Sequence, residues 1–238
     1  MEDFSMNILI TGASRGLGFC LVKKFLDSGH RVFAGVSSPD NIRELEAVRD
    51  NENLSIFKLN VAEPKDIENA GKLVNEQADS IDAVINSAGV LLNRNGYITE
   101  DTYENLLKTF KVNTIGPIYL NNVFLPLLKK SKNPAVINIS SEIMAIDHVG
   151  SWFPAYCLSK TAIAQYSFSL KETFNELNIN ARVFAVHPGR MKTAMGGDNG
   201  QISPEESAGY IYKIAVGQIL PGNEEIYVNY KGEPMLNK

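Results

Sequence analysis

The chain has 238 residues, 44% of them hydrophobic, with 23 Lys and Arg against 27 Asp and Glu, a net charge of −4 and no long run of one sign. That balance excludes a broad electrostatic surface for nucleic acid, while the apolar content fills one large α/β core, so residues 1–238 are read as a single domain. Two cysteines without metal-ligand neighbours, an acidic N-terminus lacking signal-peptide blocks and no apolar run long enough to cross a bilayer predict a cytoplasmic protein with no metal or membrane partner.

In chain order, short apolar runs alternate with amphipathic stretches. Strands are predicted over 7–11, 31–36, 54–59, 81–86, 135–140, 181–186 and 225–228, and helices over 16–28, 64–77, 101–130, 154–177 and 204–216. The strands read as nearly continuous Val- and Ile-rich runs, the pattern of parallel strands covered on both faces. The βα alternation predicts a Rossmann-type doubly wound sheet of about seven mostly parallel strands, helices on both faces, with a ligand at the carboxyl ends of the strands.

TGASRGLG, Thr11 to Gly18, follows the first strand and runs into the first helix. Gly12, Gly16 and Gly18 let the backbone turn and approach a pyrophosphate, and the N–H groups around Ser14, Arg15 and Leu17 face its charge at a positive helix end. The spacing is GxxxGxG rather than GxGxxG, and a plain strand-to-helix turn is the competing reading. The second strand ends at Val36, Ser37 and Ser38 without the carboxylate that repels a 2′-phosphate, and Asp40, after Pro39, is read as opening the next helix. Arg15, between the glycines, suits a bidentate contact with a 2′-phosphate, which favours NADP over NAD, a plain surface arginine being the competing reading. Asn60 and Val61 close the third strand, and Asn86-Ser87-Ala88-Gly89 the fourth, where small residues let a cofactor lie against the backbone.

Pro117 and Pro126 are expected to interrupt the helix over 101–130. Tyr156 and Lys160, four apart, share one face of the helix over 154–177, a spacing that any surface helix also carries by chance. Ser203-Pro204-Glu205-Glu206 offers an N-cap, a first-turn proline and first-turn acids.

TGxxxGxG, NSAG, NISS and YCLSK in this order resemble the short-chain dehydrogenase/reductase family. HPGRMKTAMGG, SPEESA and YKGEP are similar to its branch of C-factor-like and sniffer-like carbonyl reductases. The resemblance implies a catalytic set of Asn113, Ser141, Tyr156 and Lys160. Only one of Ser140 and Ser141 can face the site, and the motif favours Ser141. Tyr156 is implied as the proton exchanger, with the Lys160 cation favouring its phenolate and bonding the nicotinamide ribose, Ser141 holding the substrate oxygen, and Asn113 positioning a water.

The resemblance also implies cofactor contacts at Asn60, Val61, Asn86, Ala88, Gly89, Pro188, Gly189, Met191 and Thr193. His187 reads as a packed histidine, and Arg190 stands where the branch often carries tryptophan. Met144, His148, Trp152, Phe153 and Met195 form either an apolar substrate mouth or a packing or subunit contact. The implied function is NADP-dependent interconversion of a ketone or aldehyde with its alcohol, in a homo-dimer or homo-tetramer. The alternative is a cofactor-binding regulatory or signalling protein of the same fold. Length disfavours an epimerase or dehydratase.

Overall fold

The strands are β1 (Asn7–Thr11), β2 (Arg31–Val36), β3 (Leu54–Lys58), β4 (Ala83–Asn86), β5 (Ala135–Ile139), β6 (Arg182–His187) and β7 (Tyr227–Asn229). The helices are α1 (Gly16–Asp27), α2 (Pro64–Gln77), α3 (Tyr103–Phe110), α4 (Gly116–Leu128), α5 (Pro154–Glu176) and α6 (Pro204–Ala215). This computed structural model describes residues 5–40, 42–93, 97–142, 153–196, 200–222 and 225–235. The strands form one sheet in the order β3-β2-β1-β4-β5-β6-β7, with every neighbouring pair parallel.

Side-chain alternation explains why both faces are apolar. Ile8 and Ile10 of β1 pack with Leu21 and Phe25 of α1 and Ile211 and Ile214 of α6, whereas Leu9 between them packs with Val74, Phe124 and Phe174 of α2, α4 and α5. Each such fully buried Ile or Leu contributes about 1.5–3 kcal/mol. The strand order reverses between β1 and β4, which opens a crevice at their carboxyl ends. Among the described residues no helix is long and apolar enough to cross a membrane.

The helix expected over 101–130 is divided differently from the prediction. A π-helical turn, Lys111–Ile115, separates α3 from α4, with Gly116 N–H bonded to the Lys111 carbonyl. A Cβ on Gly116 would lie 2.3 Å from the Val61 carbonyl oxygen, so this close approach requires glycine. Pro126, expected to interrupt, lies inside α4 only two residues before its end, where it removes one bond from the last turn. Asp40 does not open a helix: it is exposed, and the 3₁₀ turn that follows (Arg43–Val48) has Ile42 at its N-cap and Glu44 and Glu46 in its first turn. Ser203 caps α6 as expected, its hydroxyl accepting from Glu206 N–H at 3.1 Å.

Two glycines give opposite expectations. A Cβ on Gly18 would stand 2.2 Å from the Gly12 carbonyl oxygen, so Gly18→Ala should lower stability by about 1–3 kcal/mol. On α6, a Cβ on Gly209 meets nothing within 4 Å. Gly209→Ala should raise stability by about 0.5–1 kcal/mol, both read from urea denaturation midpoints.

Candidate active site at the carboxyl edge of the sheet

The turn from β1 into α1 is closed by contact with β4. Gly12 adopts φ +66°, and a Cβ there would stand 2.7 Å from Ala88 Cα. The Ala88 N–H in turn donates to Thr11 Oγ1 at 3.0 Å. At the head of α1, Gly16 N–H donates to Glu44 Oε2 at 3.1 Å, and Ser14 O accepts from Glu44 N–H at 3.2 Å. Leu17 and Gly18 N–H find no acceptor among the described residues. An open glycine turn with two unpaired donors at a positive helix end fits a diphosphate.

Arg15 is exposed at the N-cap of α1, and Ser37 is exposed just past β2. Two neighbours of this turn escaped the sequence reading. Glu44 reaches it only because the 3₁₀ turn folds back across 28 residues. Arg43, exposed beside it, holds a left-handed φ of 51°. No periodicity or motif marks either residue.

Past β5, the two serines divide their roles. Ser140 Oγ donates to the Lys160 carbonyl at 3.1 Å, while the Ser141 side chain hydrogen-bonds Tyr156. On α5, Lys160 Nζ donates to the Ile139 carbonyl at 2.6 Å and stands 5.7 Å from the centroid of the Tyr156 ring. Asn113, in the π turn, accepts from Val90 N–H at 2.8 Å and donates to Val90 O at 2.9 Å and to Ser159 Oγ at 3.0 Å. It thereby ties the chain after β4 to α5. A Cβ on Gly89 would lie 3.6 Å from Asn113 Oδ1 and 3.7 Å from Lys160 Nζ, so the bare backbone there keeps the floor of the site open. The four residues named from the sequence therefore form a chain of neighbours, from Asn113 to Lys160 across Gly89, from Lys160 to Tyr156 and from Tyr156 to Ser141.

The electrostatics differ from the sequence-based argument. Burial pushes the Tyr156 phenol up to about 12, opposed by the Ser141 hydrogen bond. The Lys160 ammonium is turned to the Ile139 carbonyl and is itself pushed down to about 8 by burial. Tyr156 keeps some open surface, yet enough protein surrounds it for desolvation to prevail.

The remaining predicted contacts come from the ends of other strands. Asn60 Oδ1 accepts from Ala62 N–H at 3.1 Å, and Val61 is buried against the start of α4. Asn86 turns its side chain away into the core, donating to Asn121 Oδ1 at 3.1 Å and Asn138 Oδ1 at 2.8 Å. Only its backbone and that of Ser87, Ala88 and Gly89 follow the edge. After β6, Pro188 O accepts from Ser207 Oγ at 2.7 Å, and Gly189 takes φ +82° against Ile202. Met191 bridges Ile202, and Thr193 Oγ1 accepts from Gly196 N–H at 3.0 Å. Thr193 Cγ2 lies 3.8 Å from a Cβ built on Gly16, so the loop after β6 reaches the glycine turn.

Of the predicted substrate mouth, Met144, His148 and Trp152 lie outside the described residues. Phe153 caps α5 in a left-handed conformation, and Met195 is exposed. Arg190 bonds Glu142, Nε to Oε1 at 2.5 Å, beside the serine.

The short chain dehydrogenase family model matches residues 6–202. The carbonyl reductase from chicken fatty liver, solved with NADPH bound, superposes with a TM-score of 0.88 at 28% identity, covering 97% of this chain and 98% of that one. The carbonyl reductase Sniffer of Drosophila melanogaster gives 0.88 at 27% identity, over 97% and 99%. An uncharacterised oxidoreductase of Schizosaccharomyces pombe is 30% identical over 94% of each chain, and the (+)-neomenthol dehydrogenase of Arabidopsis thaliana 26% over 94% of each.

Proposed function

This chain belongs to the short-chain dehydrogenase family and is an NAD(P)-dependent oxidoreductase; from that premise we propose that it interconverts a ketone or aldehyde with its alcohol, prefers NADP(H), and exchanges the proton through Tyr156. One observation carries this reading. The Ser141 and Tyr156 side chains meet at the carboxyl edge of the sheet with Lys160 one helical turn away.

The cofactor's diphosphate would be held by the turn of Gly12, Ser14, Gly16, Leu17 and Gly18, its 2′-phosphate by Arg15 with Ser37, and its adenine by Asn60 and Val61. Its nicotinamide half would rest on the backbone from Asn86 through Ala88 and Gly89, on Tyr156 and Lys160, and on Pro188, Gly189, Met191 and Thr193. Bound there, the nicotinamide supplies hydride to the carbonyl carbon, or takes it from the alcohol.

Ser141 holds the substrate oxygen and donates toward its developing charge. Tyr156, pushed up to about 12, is protonated at neutral pH and gives its proton to that oxygen during reduction. Lys160 has one ammonium proton on Ile139 O and two more to direct into the site. The Asn113 amide is already engaged with Val90 and Ser159, so its main-chain carbonyl, to which Pro117 has no N–H to donate, is the group that holds a water.

A panel of aldehydes and ketones, followed by NADPH absorbance, tests the reaction class. Cofactor binding without turnover on any of them would favour a regulatory binder instead. For the cofactor, Arg15→Ala should lower kcat/KM with NADPH about tenfold or more and leave NADH almost unchanged, as loss of a charge-assisted contact. Equal use of both cofactors by the native chain would overturn the NADP preference. A single domain over 1–238 is supported by the continuous seven-stranded sheet, and a cytoplasmic setting by two buried cysteines that are not joined in a disulfide. The homo-dimer or homo-tetramer rests on family resemblance.

A further inference from the structure

Strand bonding between β5 and β6 stops at Ser140, whose N–H donates to Val186 O at 2.8 Å. Two peptide groups on, Ser141–Glu142 is held instead by side chains. Its carbonyl accepts from the Tyr227 hydroxyl of β7 at 2.6 Å, and its N–H donates to His187 Nδ1, at the end of β6, at 3.0 Å. These are the two polar ends of one rigid plane.

We propose that Tyr227 and His187 are the positioning residues of the site: together they clamp the Ser141–Glu142 peptide and so set the direction of the Ser141 hydroxyl. The inference rests on the reading that Ser141 holds the substrate oxygen.

A peptide fixed at both its oxygen and its nitrogen cannot rotate about the bonds flanking it without breaking one hydrogen bond. Ser141 Cα lies at one edge of that plane, and with the preceding backbone held by Ser140 N–H on Val186 O the serine is fixed from both sides, so its Cβ projects in one direction. Both anchors are firm. Tyr227 is 2% exposed, packed with Ala164 of α5 and Ala185 of β6. His187 continues β6 in register with Asn229 of β7. Loops are poor supports for a reacting group, and here two strands supply the support from outside the ladder.

The histidine arm works only in one protonation state. Nδ1 accepts, so the ring proton sits on Nε2, which faces Glu142 Oε2 at 3.9 Å. An imidazolium has no acceptor left for Glu142 N–H. The groups facing His187 are the Glu142 carboxylate, Arg190 bonded to that same carboxylate, and Tyr227 on the adjoining strand, whose hydroxyl bonds the Ser141 carbonyl. Burial holds His187 below the ordinary histidine range, Arg190 adds to that and Glu142 opposes it, so the clamp is closed at neutral pH and opens as acidity increases.

A double-mutant cycle separates this role from a general loss of structure. Tyr227→Phe should lower kcat/KM for carbonyl reduction about tenfold in the native background, and less than about twofold in Ser141→Ala, because there is then no hydroxyl to aim. NADPH affinity should be unchanged in all four proteins. His187→Asn, which keeps an acceptor that does not titrate, should retain neutral activity within about threefold and lose the acid limb of the pH profile. An equal loss on Tyr227→Phe in both backgrounds, no loss in the native one, or an unaltered acid limb in His187→Asn would overturn the clamp. Undiminished turnover in Ser141→Ala itself would instead overturn the role of Ser141, so the two failures are told apart.

Discussion

Tyr156→Phe is expected to lower kcat for carbonyl reduction by about 10²- to 10⁴-fold, the range for removing a general acid. NADPH binding, measured by fluorescence titration, should stay within about threefold, since the ring and its packing are kept. The phenylalanine has no proton to give and leaves Ser141 without its phenolic partner. The Tyr156 phenol itself should add no inflection to reduction through neutrality, because at about 12 it stays protonated there. Alcohol oxidation needs phenolate at the same oxygen, so its rate should climb with pH. Retained reductase turnover in Tyr156→Phe would remove Tyr156 from the chemistry.

The same phenol bears on stability. Its folded value lies above the ordinary tyrosine value of 10, so the chain keeps its proton more tightly when folded. That contribution is complete below pH 10 and is lost as pH rises from there through about 12. Alkaline unfolding should therefore be less steep in Tyr156→Phe.

What was legible beforehand follows from physics that is local in the chain. Ile8, Leu9 and Ile10 are apolar on both sides of β1, and a strand covered on two faces has to be. Ser203 caps its helix through a bond to a residue three positions on, and such short-range chemistry survives in sequence. The π turn at Lys111–Ile115 does not: no residue type announces it, and it is followed by Gly116, which lies against the Val61 carbonyl of the loop between β3 and α2. Glu44 at the glycine turn is equally non-local. The Tyr156–Lys160 spacing correctly placed both side chains on one side of α5, but spacing carries no orientation. Where the ammonium points is decided by the Ile139 carbonyl at the end of β5.

That orientation makes Lys160 the second sharp test, because its activity and its stability should move in opposite directions. Lys160→Met is expected to lower reductase turnover by about 10²-fold or more, through loss of a buried positive charge and two donors beside the reacting groups. Stability should not fall with it. Burial lowers the lysine from 10.5 to about 8, so holding the charged form inside the fold at neutral pH costs roughly 3 kcal/mol. The unfolded chain keeps this proton up to 10.5, and the folded chain releases it above about 8, so stability falls as pH drops through that window and the penalty is complete below it. Methionine fills similar space without charge, but leaves the Ile139 carbonyl unpaired, which costs about 1–3 kcal/mol. The net expectation at pH 7 is a chain as stable as the native one or more stable by up to about 2 kcal/mol, with that advantage shrinking as pH rises toward the lysine's unfolded value. Urea denaturation at neutral and alkaline pH, beside steady-state kinetics, reads both quantities. A variant that unfolds much more readily at pH 7 would show the ammonium to be a structural tie to β5 rather than a charge held there for chemistry.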